Sequence, residues 1–163
     1  MDGQLARRRG TQVAHSLNMI AELPGYVDDA TIPVALRVAA VDAFFGRLRL
    51  PIESLVKPWD HRLIHRRDYA RHFRAEAALR ARLSADYGFA TRHVAHFNGV
   101  GVLAEDSPVY EPVDSARLSR RADDVFAAMS AFAGHLSANG SEYAGDFGDW
   151  LAAAAARRPG SLG

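Results

Sequence analysis

The sequence predicts a mainly α fold, a single-domain helical bundle of about five helices with one small β-hairpin; an α+β domain is the alternative. Three observations predict it. Apolar residues recur at the helical period in several windows. Proline and glycine pairs stop those windows at short intervals. One Asn-Gly pair, Asn98-Gly99, stands between two β-prone runs.

Val13, Leu17 and Ile20 fall at i, i+4 and i+7, so a short surface helix is expected, capped by Thr11 and stopped by Pro24-Gly25. A second helix opens after Asp28-Asp29-Ala30-Thr31 with Pro33 in its first turn, where a missing N–H costs nothing. Its rows Val34, Val38, Val41, Phe45, Leu48 and Leu36, Ala40, Phe44 cover more than half the circumference, the pattern of a central helix. Pro51 and Pro58 bracket a brief helical turn, Ile52 to Lys57.

Asp60 offers an N-cap to the longest uninterrupted helical pattern, His61 to Tyr87, with Gly88 as its stop. Thr91–Phe97 and Val100–Leu103 flank Asn98-Gly99 and read as the hairpin. Asp114 or Ser115 starts the next helix, whose row Leu118, Val125, Met129, Phe132, Leu136 runs to Asn139-Gly140. Ser141 restarts the chain into a last helix with the face Tyr143, Phe147, Trp150, Leu151, Ala154; Gly145 and Gly148 weaken it unless another backbone packs close. Residues 1–158 make up the expected domain, and 159–163 a fraying tail.

Composition narrows the function. Without cysteine, neither thiol catalysis nor a thiolate metal site is possible. Twenty basic and nineteen acidic residues leave a net charge of +1, and the seven arginines between positions 60 and 86 scatter around their helix, so no nucleic-acid partner is expected. No apolar run approaches the length of a membrane span, and the arginines at 7–9 are not followed by a signal-type apolar stretch. No membrane partner is expected, and the cytoplasm is the expected compartment. Phosphate-loop, dinucleotide and serine-hydrolase motifs are missing, which points to no organic cofactor.

The chemistry-bearing feature is a row of ionisable residues. On one helix, His61, His65, His72 and Glu76 would share about one sixth of the circumference, with Tyr69 at its edge. Asp68 lies three residues after His65 and four before His72, where its carboxylate could orient either imidazole for proton transfer. A metal is the weaker reading: a rise of ~1.5 Å per residue puts His61 and Glu76 roughly 22 Å apart, so one pair would need His93 or His96 to complete a site. Lys57, the only lysine, sits between Val56 and Pro58-Trp59 and could pair with Glu105 or Glu111 if the loops converge.

The expected function is therefore that of a small cytoplasmic, cofactor-independent enzyme of lyase, isomerase or cyclase type, working by His/Asp acid–base chemistry on a small-molecule substrate. His65, Asp68, His72, Glu76 and Lys57 are the catalytic candidates; His61, Tyr69, His93, His96 and Glu105 are the substrate-binding ones. The alternative is a non-catalytic helical module that forms a homodimer or docks a partner, with the Gly145/Gly148 helix and Trp150 as its contact.

Overall fold

A computed structural model describes residues 3–58, 66–70, 72–97 and 113–159. Six α-helices follow in order: α1 Gly3–Glu22, α2 Pro24–Val27, α3 Val34–Val56, α4 Ala77–Phe97, α5 Ser115–Ala138 and α6 Ala144–Ala155, with a 3₁₀ turn at Arg66–Asp68. The molecule is a mainly α bundle, and no strand occurs among the described residues. Among them, too, no helix is long and apolar enough to cross a membrane.

α1 is neither short nor superficial. Its 20 residues bury Val13, Leu17 and Ile20 completely or nearly so, and Thr11 lies inside it, donating its hydroxyl to the Arg8 carbonyl at 2.7 Å. The apolar row that suggested a surface helix is instead a full core face against α3 and α6.

α3 packs against α1, α2, α4 and α5. Asp29 accepts from the Thr31 amide (2.8 Å) and hydroxyl (2.6 Å), a local turn that turns the chain into Pro33 and the start of α3. From Ala40 onward the expected rows are buried apart from the half-buried Val41, with Phe44, Phe45 and Leu48 at 0% exposure. The first turns are not: Val34, Leu36 and Val38 are 64%, 60% and 49% exposed.

Pro51 lies inside α3, so the separate turn expected after it is the helix's own last two turns. The missing N–H costs one bond. Burial of Pro51, Ile52 and Leu55, and the Ser54 hydroxyl bonded to the Pro51 carbonyl at 2.7 Å, keep the helix running.

The single helix expected over 61–87 does not form. Residues 61–65 lie outside the described residues; a 3₁₀ turn occupies 66–68, and His72 to Glu76 are irregular, with Phe73 and Ala75 buried and Arg74 and Glu76 exposed. On a continuous helix, Tyr69 and Phe73 would lie about a quarter turn from the row Leu79, Leu83, Ala90; with the chain irregular before α4, the two rings pack instead on α5 and α6.

The chain breaks, and both sets reach the core. Phe73 meets the Phe132 ring at 4.9 Å, while Tyr69 meets Phe147 at 5.1 Å and Tyr143 at 5.2 Å. Burying Phe73 is worth about 1.5–3 kcal/mol, and each ring pair adds roughly 0.5–1.5 kcal/mol.

Gly88 does not stop the helix either. α4 continues to Phe97, because Ala90 extends the buried row and Phe89 packs on Phe45 at 5.2 Å. The first arm of the expected hairpin, Thr91–Phe97, is thus helical; Asn98-Gly99 and Val100–Leu103 lie outside the described residues.

α5 follows the sequence closely. The Asp114 side chain caps it by accepting from the Arg117 amide at 2.7 Å, and Leu118, Val125, Met129, Phe132 and Leu136 are all buried. At its end Gly140 adopts φ 63°, its amide donates to the Ser137 carbonyl (3.1 Å), and the Ser141 amide donates to the Leu136 carbonyl (2.9 Å). This paired closure is the glycine-dependent helix stop that Asn139-Gly140 announces.

α6 then lies back across α1. Gly145 and Gly148 face open space, so no backbone packs on them. The close approach is made by Gly10 of α1: a Cβ there would fall 2.7 Å from Cζ3 of Trp150 and closer still to Cη2. Trp150, expected as an outward contact, is turned inward onto Gly10 and Phe147.

α4 and α5 are joined by a buried ion pair between Asp86 and Arg121, whose guanidinium also lies 4.3 Å from the Phe89 ring centroid. Burial pushes the Asp86 carboxyl up, against the pull of Arg121. The folded chain therefore holds this proton more tightly than the unfolded one, and the contribution of Asp86 to stability declines as pH rises from the ordinary aspartate value of about 4.

Two predictions follow from this packing. Gly10→Ala is expected to cost about 1–3 kcal/mol by overpacking Trp150, whereas Gly134→Ala in the open middle of α5 gains up to about 1 kcal/mol; urea unfolding of both variants reads the opposite signs. Arg121→Met is expected to cost about 3–5 kcal/mol at neutral pH, with the loss shrinking in acid as Asp86 takes up a proton. Adding Asp86→Leu should restore stability to near the parent value, and a double variant as unstable as Arg121→Met contradicts this account.

Candidate functional site

The break before α4 brings Tyr69, Ala70 and His72 against the end of α5 and the turn into α6. Between them lies an open recess of about 430 Å³, completed by His135, Leu136, Asn139, Ser141, Glu142 and Tyr143. That volume suits a small organic molecule. Two smaller hollows lie elsewhere, of about 220 and 310 Å³, at the junction of α1, α2 and the end of α6.

Each wall has a local cause. His135 stands one turn before the stop of α5, half-buried, with its ring 5.5 Å from Phe73. Asn139 turns its side-chain amide back onto the His135 carbonyl at 2.7 Å, which leaves its Oδ1 as an acceptor. The Tyr143 amide donates to the Ser141 hydroxyl oxygen at 3.4 Å. Tyr69 and Tyr143 meet edge to face at 5.2 Å, and His72 is exposed at the rim.

Arg66 holds the wall that carries Tyr69 and His72. Its Nη1 donates to the carbonyls of Leu55 (2.7 Å) and Lys57 (3.3 Å) at the end of α3, and its Nε donates to the Phe73 carbonyl (3.0 Å). One guanidinium thus answers carbonyls of two separate segments. Burial, reinforced by Arg67, Arg74 and Arg80, holds its pKa below the usual arginine value.

Of the residues singled out in the sequence, His72 and Tyr69 line the recess. Asp68 is the last residue of the 3₁₀ turn, and the irregular chain after it removes the helical spacing that would have set it beside His72. Glu76 is exposed and marks the start of α4, its carbonyl accepting from the Arg80 amide at 2.9 Å. Lys57 closes α3 with its ammonium 4.1 Å from the Tyr87 ring centroid, and the Tyr87 hydroxyl donates to Glu53 at 2.5 Å.

His93 and His96 belong to the last turns of α4, a helix and not a strand. His61, His65 and Glu105 lie outside the described residues. Among the described residues there is no group of three or more His, Asp or Glu placed to hold a metal ion.

His135, Ser141 and Glu142 were not among the sequence candidates. The available signal was the Asn139-Gly140 stop, which predicts a reversal and so brings together the polar residues on either side of it. Comparison with protein-family models, with curated proteins and with solved structures finds no match for this chain.

Arg66→Met is expected to cost about 2–3 kcal/mol, the scale of charged hydrogen bonds lost from buried carbonyls. Arg66→Lys should recover less than half, because an ammonium cannot fork between the two segments. Urea unfolding measures both, and hydrogen exchange should show faster exchange at Tyr69 and Phe73 in Arg66→Met; unchanged exchange there contradicts the tethering role.

Proposed function

We propose that the recess binds a small organic substrate and that His72 and His135 move protons on it, as in a cofactor-independent lyase, isomerase or cyclase of the cytoplasm. The observation that supports this is that two imidazoles, carried by separate elements, line one solvent-reachable hollow together with two tyrosines. An imidazole offers a donor and an acceptor on one ring, which suits it to take a proton from one atom and return it at another. His72 sits at the exposed rim and His135 is half-buried against Phe73, so the two rings meet a bound molecule from different environments.

This reading moves the chemistry from the face of a long helix to the corner between α5 and α6, and keeps His72 and Tyr69 from the sequence candidates. Asn139, Ser141 and Glu142 supply the polar contacts that would orient the substrate.

A small-molecule screen read by NMR of the histidine ring signals tests it. Ligands are expected to shift His72 and His135 together, and any ligand that is turned over should lose at least about 100-fold in rate with His72→Ala or His135→Ala, each melting within a few degrees of the parent. Turnover that survives both substitutions rejects the assignment.

A further inference from the structure

We infer that the recess takes an organic cation, a primary amine carried on an apolar or aromatic group, in preference to an anion or a neutral analogue. The inference rests on the recess being the binding site proposed above and names its ligand class. Among the described residues, Glu142 is the one carboxylate that lines the hollow, and no arginine or lysine joins it. Arg66, which holds one wall, directs its Nε and Nη1 at backbone carbonyls.

The remaining polar groups favour the same sign. Asn139 has turned its amide donors to the His135 carbonyl, so it offers an acceptor. Tyr69 and Tyr143 add aromatic rings, whose faces attract ammonium groups.

The amino end of α6 starts at the same corner; the Ser141 hydroxyl oxygen accepts from the Tyr143 amide and the Ser141 carbonyl accepts from that of Ala144 at 3.1 Å, and Asp146, paired with Arg7 at 3.5 Å, places a carboxylate in the first turn.

Titration with 2-phenylethylamine, phenylacetate and 2-phenylethanol, read on the ring signals of His72 and His135, tests the inference on the intact chain. The amine is expected to bind at least about ten-fold more tightly than either analogue, a difference of about 1.4 kcal/mol. Glu142→Gln should remove most of that preference, weakening the amine far more than the alcohol; Glu142 is exposed, so the variant tests charge and not folding. If phenylacetate or the alcohol binds as well as the amine and shifts both rings, the cation preference is overturned while the recess stands as a binding site. If Glu142→Gln leaves the amine affinity unchanged, or no probe moves either ring, the inference is likewise overturned.

Discussion

The structure depends on the break in helix before α4. His72 to Glu76 are irregular, which frees Tyr69 and Phe73 from the face that Leu79 and Leu83 continue. Phe73 then joins Phe132, and Tyr69 joins Phe147 and Tyr143, so one run of touching rings ties the irregular segment to α5 and α6 and ends at Trp150 on Gly10. His72 reaches the corner beside α5 because its sequence neighbour Phe73 is buried there. The position of the candidate site is thus a by-product of aromatic burial.

What could be read from the sequence was whatever is decided within one turn of the chain. Asp114 as a cap, the buried row of α5 and the glycine stop at Asn139-Gly140 are set by neighbours three or four residues away, and all three appear where the pattern puts them. The overall α-rich class follows from the same periodicity. Pro51, Gly88 and the 69–76 segment behave otherwise. Each is decided by a partner distant in sequence: Pro51 by the burial of Ile52 and Leu55, Gly88 by Phe89 packing on Phe45, and Phe73 by Phe132. Local rules assign proline and glycine a cost of about 1–3 kcal/mol, and burial of one large side chain is enough to offset it.

The site was legible only in part, and for a physical reason. His72 and Tyr69 attracted notice as members of a helical face that does not exist, yet both line the recess because the break turns them toward α5. His135 looked like one more position on a core helix, since nothing in its own turn distinguishes it from Phe132 and Leu136. Its role depends on facing a different part of the chain, which a helical period cannot express. Gly10 is a similar case: a glycine in the middle of a helix reads as a weakness, whereas here the missing Cβ is the space that Trp150 fills.

The corner between α5 and α6 is also where the fold can spare side chains for binding. A helix end normally needs polar groups to answer its last carbonyls. Here the amides of Gly140 and Ser141 answer those of Ser137 and Leu136, and Asn139 answers that of His135 from both its backbone and its side chain. With the backbone satisfied from within, neither the imidazole of His135 nor the carboxylate of Glu142 is required to close the helix. Arg66 does the corresponding work on the opposite wall, satisfying the carbonyls of Leu55, Lys57 and Phe73, so that His72 is not needed for it. The backbone carbonyls of both walls are therefore satisfied without the side chains of His72, His135 or Glu142, so a change at any of these three leaves the frame around the recess intact.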